Sequence, residues 1–253
     1  MYSILTSLLD DKKGGEIFTC FGAWHIGYIV FFIALVSVIL AWLRGKSGGV
    51  WDKTASVFVN TSFALYVLDF FAMPLAYGEI DIEKLPFHAC TAMCVACFLS
   101  NHVGSLRKYR TSFALLGFIS NFVYLVYPAG VMWHAVHPLS YRVIQTLTFH
   151  GIMSVYGLLV ILSERESFKW KSCYRELALL ALMTVWAILG NMVYNSDARF
   201  YNWFFVVRDP FYILPESIAP FVMPFVNIAV FFGVEMLIYL ILIKTRPSEN
   251  GNT

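Results

Sequence analysis

Seven stretches of this chain, each about as long as a bilayer core is thick, are nearly free of charge, and short loops between them hold most of the lysines and arginines. A hydrocarbon core of roughly 30 Å needs about 20 apolar helical residues, because every backbone N–H and C=O must be satisfied inside the segment. The stretches lie near 23–43, 51–74, 86–103, 111–128, 143–163, 174–195 and 217–243. With 59% hydrophobic and 13% charged residues over 253 positions, the composition excludes a soluble domain. The expected fold is all-α: one seven-helix transmembrane domain over 23–243, an interfacial segment at 1–22 and a tail at 244–253. The first span is expected to be retained, since Lys12 and Lys13 lead into Gly-Gly and a span too long for the apolar core of a signal peptide. A net charge of +2 gives no reason to expect a nucleic-acid partner, and five cysteines, most of them in spans, do not read as a disulfide framework.

Orientation follows from the loop cations, because cytoplasmic loops are enriched in lysine and arginine. One side collects twelve of them, including Arg44, Arg107, Arg110, Arg165, Arg175 and Lys244; the other collects six, Lys12, Lys13, Lys84, Arg142, Arg199 and Arg208. The richer side is expected to be cytoplasmic, with the N-terminus outside and the C-terminus inside.

That orientation gives each polar residue in a span a depth. His25, Asp69, His88, Cys90, Asn121, Tyr124, Gln145, His150 and Asn191 all fall in the outer half. Polar groups are expensive in lipid and normally face a protein-lined cavity, so six helices are expected to converge on a polar pocket near the outer leaflet. The longest connection, Asp197 to Glu216, is rich in Phe, Tyr and Trp and is expected to lie along the membrane surface or to pack over the bundle as a lid.

The stretch Lys84-Leu-Pro-Phe-His-Ala-Cys90 carries the sharpest chemistry. Proline suits the first position of a helix, so Pro86 predicts a helix running through Val103, with His88 in its first turn and Cys90 at the start of the second. A thiol nucleophile needs a base within hydrogen-bond reach. His88 is about 200° around the helix from Cys90, which leaves His150 as the better-placed base. The plainer reading makes Cys90 a small packing residue and His150 an interhelical hydrogen-bonder. His25, His88 and His150 form a second possible set, three imidazoles at similar depth that would suit zinc with one open position. Cys94 and Cys97 share a face with Cys90 and read as core. Asp69 would orient a histidine or face water at the interface. His134 and His137 read as a loop pair, and Glu235, in the cytoplasmic half of the last span and away from the cluster, as a structural hydrogen-bonder or a protonated carboxyl, or as a step in an ion path.

Leu85-Pro86-Phe87-His88-Ala89-Cys90 resembles the Leu-Pro-Leu-His-Leu-Cys signature of the YwaF-like integral membrane proteins, a bacterial family with a eukaryotic branch of phospholipid acyltransferases. Pro128 at the end of the fourth span, Arg142 with Gln145 and then His150-Gly151, Gly190-Asn191 before an aromatic loop, and His25 in the first span agree in order and spacing. Phe87 and Ala89 stand where the family has leucines, Phe149 where serine is common, and the long loop lacks the usual proline-rich run. The resemblance implies Cys90 as an acyl-accepting nucleophile and His150 as its base, acting on phospholipid and lysophospholipid without metal or other cofactor in a multi-pass protein of the bacterial plasma membrane. His88, Asn191 and Gln145 would bind substrate or stabilise an oxyanion, and Asp69 or His25 would orient the base. A zinc-dependent lipid or amide hydrolase built on His25, His88 and His150, and a transporter or lipid-binding protein without covalent chemistry, stay open as alternatives.

Overall fold

The structure, a computed structural model, describes residues 15–77, 80, 82–132, 135–196 and 199–245. Among them the chain is helical, with no β-strand: α1 (Ala23–Leu43), α2 (Gly48–Tyr77), α3 (Ala89–His102), α4 (Arg110–Val126), the single turn α5 (Ala129–Met132), α6 (Tyr141–Ser163), α7 (Cys173–Tyr194) and α8 (Ala219–Lys244). The interfacial helix expected near Tyr2 to Leu9, and His134, lie outside the described residues. All five cysteines are free thiols.

Among the described residues six helices are long and apolar enough to cross a membrane; the third of the seven expected spans is not. At 14 residues α3 is about 21 Å long, short of a bilayer core. It also begins three residues later than Pro86 predicts. The Phe87 N–H turns back to the Leu85 carbonyl (2.7 Å), and the Pro86 carbonyl is taken by Trp186 Nε1 of α7 (2.8 Å). With that carbonyl turned towards α7, the segment closes as a turn. His88 caps the helix with extended backbone (φ −76°, ψ 147°), and the bond from Ala92 N–H to its carbonyl (2.9 Å) opens the helical ladder.

The bundle is built around α6, which packs along α2 on one side and α4 on the other, while α3 packs on α4. α1 is peripheral and turns Val30, Phe31, Ile33 and Val38 outward, as a helix facing lipid does. It docks through Phe32, whose ring lies so close to Gly151 that a Cβ there would come within 2.1 Å of it. At one end of the bundle, buried Arg110 of α4 is ion-paired with Asp52 of α2 and with Glu164 (2.9 Å) just past α6, which ties three helix ends together.

The connection from Asn195 to Ile218 is partly a plug. Trp203 is fully buried and stacks on Tyr201 with ring centroids 4.7 Å apart. Phe204 and Phe205 take left-handed backbone (φ 52° and 51°), which is costly for a bulky residue, and Asn227 of α8 holds the turn by donating to both their carbonyls (2.6 and 3.2 Å). Farther along, Phe211, Tyr212 and Ile213 are exposed. The expected lid is thus inserted at 201–207 and open to its surroundings at 211–213.

Candidate active site

Opposite the Arg110 end, α2, α3, α4 and α6 bring together several of the residues singled out in the sequence. On α6, His150 is buried, and its Nδ1 lies 2.7 Å from the Thr146 carbonyl oxygen one turn back. A carbonyl only accepts, so Nδ1 carries the proton and Nε2 is left with its lone pair. That Nε2 is buried and without a hydrogen-bond partner. An unpartnered buried acceptor is unusual enough to call for an explanation, and a basic nitrogen waiting for a substrate or thiol proton is one.

The imidazole is held on two sides. Tyr124 of α4 stacks on it with centroids 3.9 Å apart and planes 13° from parallel, and Phe149 meets it edge-on at 5.0 Å. The Tyr124 phenol in turn leaves no room at Gly130 of α5, where a Cβ would fall 2.8 Å from its oxygen. Cys90 lies within electrostatic range of that same phenol and of Tyr66 of α2. Because α3 starts late, Cys90 is the second residue of the helix rather than the start of its second turn. The backbone N–H groups of Cys90 and Thr91 face its sulfur. First-turn amides of a helix lack internal acceptors and carry the positive end of its dipole, so they are free to donate to an adjoining oxyanion.

A cation and its partner close this end. Lys84 Nζ is 2.9 Å from Asp69 Oδ2, with Asp69 almost wholly buried and Lys84 about one-fifth exposed. Tyr141 Oη donates to Asp69 Oδ1 (3.0 Å), and Tyr66 Oη donates to the Lys84 carbonyl (2.9 Å). The Lys84 charge is within electrostatic range of His88, Cys90 and His150. Asp69 is thus bound to Lys84 and Tyr141, where the sequence suggested a histidine as its partner. From the sequence Tyr124 is placed only by depth and Lys84 only as the start of the motif, and neither is given a chemical role. The available signals were a lysine just ahead of the Pro86 turn and a tyrosine in step with Asn121 on α4.

Of the remaining expected residues, His25 and Asn191 are engaged in the frame. His25 is fully buried with both ring nitrogens occupied: Nδ1 accepts from Phe21 N–H (2.9 Å) and Nε2 donates to the Leu125 carbonyl (2.8 Å). It therefore has no lone pair for zinc and no free hydrogen to orient a base. Among the described residues no three His, Cys, Asp or Glu side chains are arranged to hold a metal ion, so His25, His88 and His150 do not form the zinc set considered from sequence. Asn191 uses both amide hydrogens on the Ala187 and Trp203 carbonyls (2.7 and 3.2 Å) and its oxygen on Trp203 N–H (3.1 Å), so it clamps the plug instead of facing the pocket. Gln145 is buried and accepts from Thr146 Oγ1 (3.3 Å). His88 Nδ1 accepts from Phe204 N–H of the plug (3.3 Å), which puts its proton on Nε2 and makes that nitrogen a donor.

Residues 20–244 match the family model described as TMEM164 family. The chain belongs to the TMEM164 family. The match takes in every helix from α1 to α8, and with them Cys90, Tyr124 and His150. No curated protein and no solved structure matches this TMEM164-family chain. Its membership and its six membrane-length helices make it a multi-pass membrane protein.

Proposed function

We propose that this TMEM164-family protein transfers acyl chains between phospholipids through a thioester on Cys90, with His150 as general base. The single observation that carries the reading is the unpartnered, buried Nε2 of a His150 whose tautomer is set by Thr146 and whose ring is clamped by Tyr124. The resemblance of Leu85 to Cys90 and of His150-Gly151 to a family with acyltransferase members supports it.

In the first half-reaction His150 Nε2 takes the Cys90 thiol proton, the thiolate sulfur bonds to a phospholipid ester carbonyl carbon, and the ester C–O bond breaks. The departing lysophospholipid oxygen takes the proton back from the imidazolium. In the second half-reaction a lysophospholipid hydroxyl gives its proton to Nε2, attacks the thioester and releases the sulfur, which is reprotonated. The oxyanion of each tetrahedral step is met by the first-turn amides of α3 and by His88 Nε2–H, since donors aimed where charge develops are the largest demand of acyl transfer. Lys84, partly exposed beside Asp69, is the group in this reading that attracts a lipid phosphate. With the seven crossings expected from the sequence, the lysine and arginine distribution supports a place for this end in the extracytoplasmic leaflet, with the N-terminus outside.

Intact-protein mass spectrometry after incubation with phospholipid vesicles tests the reading. A fatty-acyl adduct is expected that hydroxylamine removes, that Cys90→Ala lacks, and that forms about 10²- to 10⁴-fold more slowly in His150→Ala, the usual contribution of a positioned base. Absence of any hydroxylamine-sensitive adduct across phospholipid classes overturns it.

A further inference from the structure

A second polar cluster lies at the far end of α4, between α4, α7 and α8. Ser112 and Tyr124 are twelve residues apart on α4, which separates the two ends by about 18 Å. Glu176, in the first turn of α7, is fully buried. One of its oxygens accepts a short hydrogen bond from Ser112 Oγ, and the other accepts from Tyr239 Oη of α8 (3.1 Å). Tyr239 Oη is 3.0 Å from Ser172 Oγ, which also bonds the Lys169 carbonyl at the protein surface. Hydroxyls therefore run in contact from the surface to a buried carboxylate.

One turn from Tyr239 on the same face of α8, Glu235 is also fully buried, and neither of its oxygens has a hydrogen-bond partner. It lies within electrostatic range of Glu176, Tyr239 and the Cys173 thiol. The helices around this end bring apolar or already engaged groups: Leu115 and Ile119 of α4 and Ile161 of α6 share a buried cluster with Tyr239, and Ser112 of α4 is bound to Glu176. Arg110 is taken by Asp52 and Glu164, Arg165 by the Leu242 carbonyl and Thr245, and Arg175 stands 3.7 Å from Glu176 near the surface. An ionised carboxylate left unpaired in such surroundings costs several kcal/mol, and two side by side cost more. Among the described residues no hydrogen-bond donor reaches either Glu235 oxygen, so the site calls for a proton there.

We propose that Glu235 is a proton-binding site, neutral while α8 is seated and served from the surface through Ser172, Tyr239 and Glu176. Loss of the proton places a second negative charge beside Glu176 and forces α8 away from α4 and α7, so proton occupancy sets the seating of α8. This site is independent of Cys90 and His150.

Infrared spectroscopy of the purified full chain in lipid nanodiscs at about pH 8, far above the value of about 4.3 at which a free glutamate ionises, provides the test. The expected spectrum holds the carbonyl stretch of a protonated carboxylic acid, which shifts on transfer to D₂O and is lost in Glu235→Gln. Tyr239→Phe keeps the band but delays its D₂O shift. A wild-type spectrum without the band overturns the proposal whatever the variants do, as does a band that survives in Glu235→Gln. An unchanged exchange rate in Tyr239→Phe overturns the route through Tyr239.

Discussion

The Tyr124 ring lies flat on the His150 imidazole, 3.9 Å between centroids and 13° from parallel, while the opposite ring nitrogen from the Thr146 bond is left without a partner. The stack and the Thr146 bond together fix the ring plane and the tautomer, which are the two things a general base must have set before its proton arrives. Tyr124→Phe preserves the stack and is expected to keep thioester formation close to wild type. Tyr124→Ala frees the ring and is expected to slow it by about 10²-fold, the order lost when a reacting group drifts by about an ångström. Adduct formation followed by mass spectrometry separates the two variants, and equal rates for both would remove Tyr124 from the positioning role.

The Lys84–Asp69 pair joins a nearly buried carboxylate to a partly exposed ammonium. Removing one member leaves the other short of a partner, at a cost of about 1–3 kcal/mol once the exposure of Lys84 is discounted. Asp69→Asn is expected to lower the unfolding midpoint in detergent, and Asp69→Asn combined with Lys84→Met to recover part of the loss. Additive losses in the double variant would show that the pair is not coupled.

Phe87, a departure from the leucine of the resembling signature, packs so closely on Gly190 that a Cβ there would be 2.4 Å from its ring. The same ring stacks against Trp186 at 4.9 Å and sits 4.9 Å from Trp203. Gly190→Ala is expected to destabilise by about 1–3 kcal/mol through overpacking, and Phe87→Leu to relieve much of it in the double variant. Thermal unfolding of the two single variants and the double variant measures the coupling. No rescue by Phe87→Leu would mean that the clash is absorbed elsewhere.

Asp209, in the connection ahead of α8, accepts from the N–H groups of Phe211, Leu214 and Ile213, and these bonds hold its carboxyl below the usual carboxylate range. A group whose folded value is depressed contributes stability above its unfolded value, about 3.9 for aspartate, and loses that contribution as pH falls through the lower folded value. Amide-exchange protection of residues 209–214 is therefore expected to hold steady from neutral pH down to about pH 4 and to fall below it, whereas Asp209→Asn lacks this acid-dependent step. A wild-type loop whose protection is already lost near neutral pH would contradict this.

Much of the frame was legible in the chain. Long apolar runs predict membrane helices because lipid leaves the backbone no other way to satisfy its polar groups, and six of the seven runs became helices of membrane length. The third starts late, at Ala89, where the Pro86 carbonyl is taken by Trp186, one hundred residues away, and it stops at His102; no local preference carries the Trp186 contact. Depth in the span likewise put Cys90, Asp69, Tyr124 and His150 at one end, since residue count along a helix converts directly into height.

What each of those residues touches was decided only by the tertiary structure. Helical spacing does not say that His25 turns both nitrogens to backbone atoms, that Asn191 is spent on Trp203, that Asp69 faces Lys84, or that His150 keeps one nitrogen free under Tyr124. Height along the membrane normal is written in the sequence as a count of residues. Rotation about each helix axis and the partner across the gap arise from packing several helices at once, and there the sequence by itself stops.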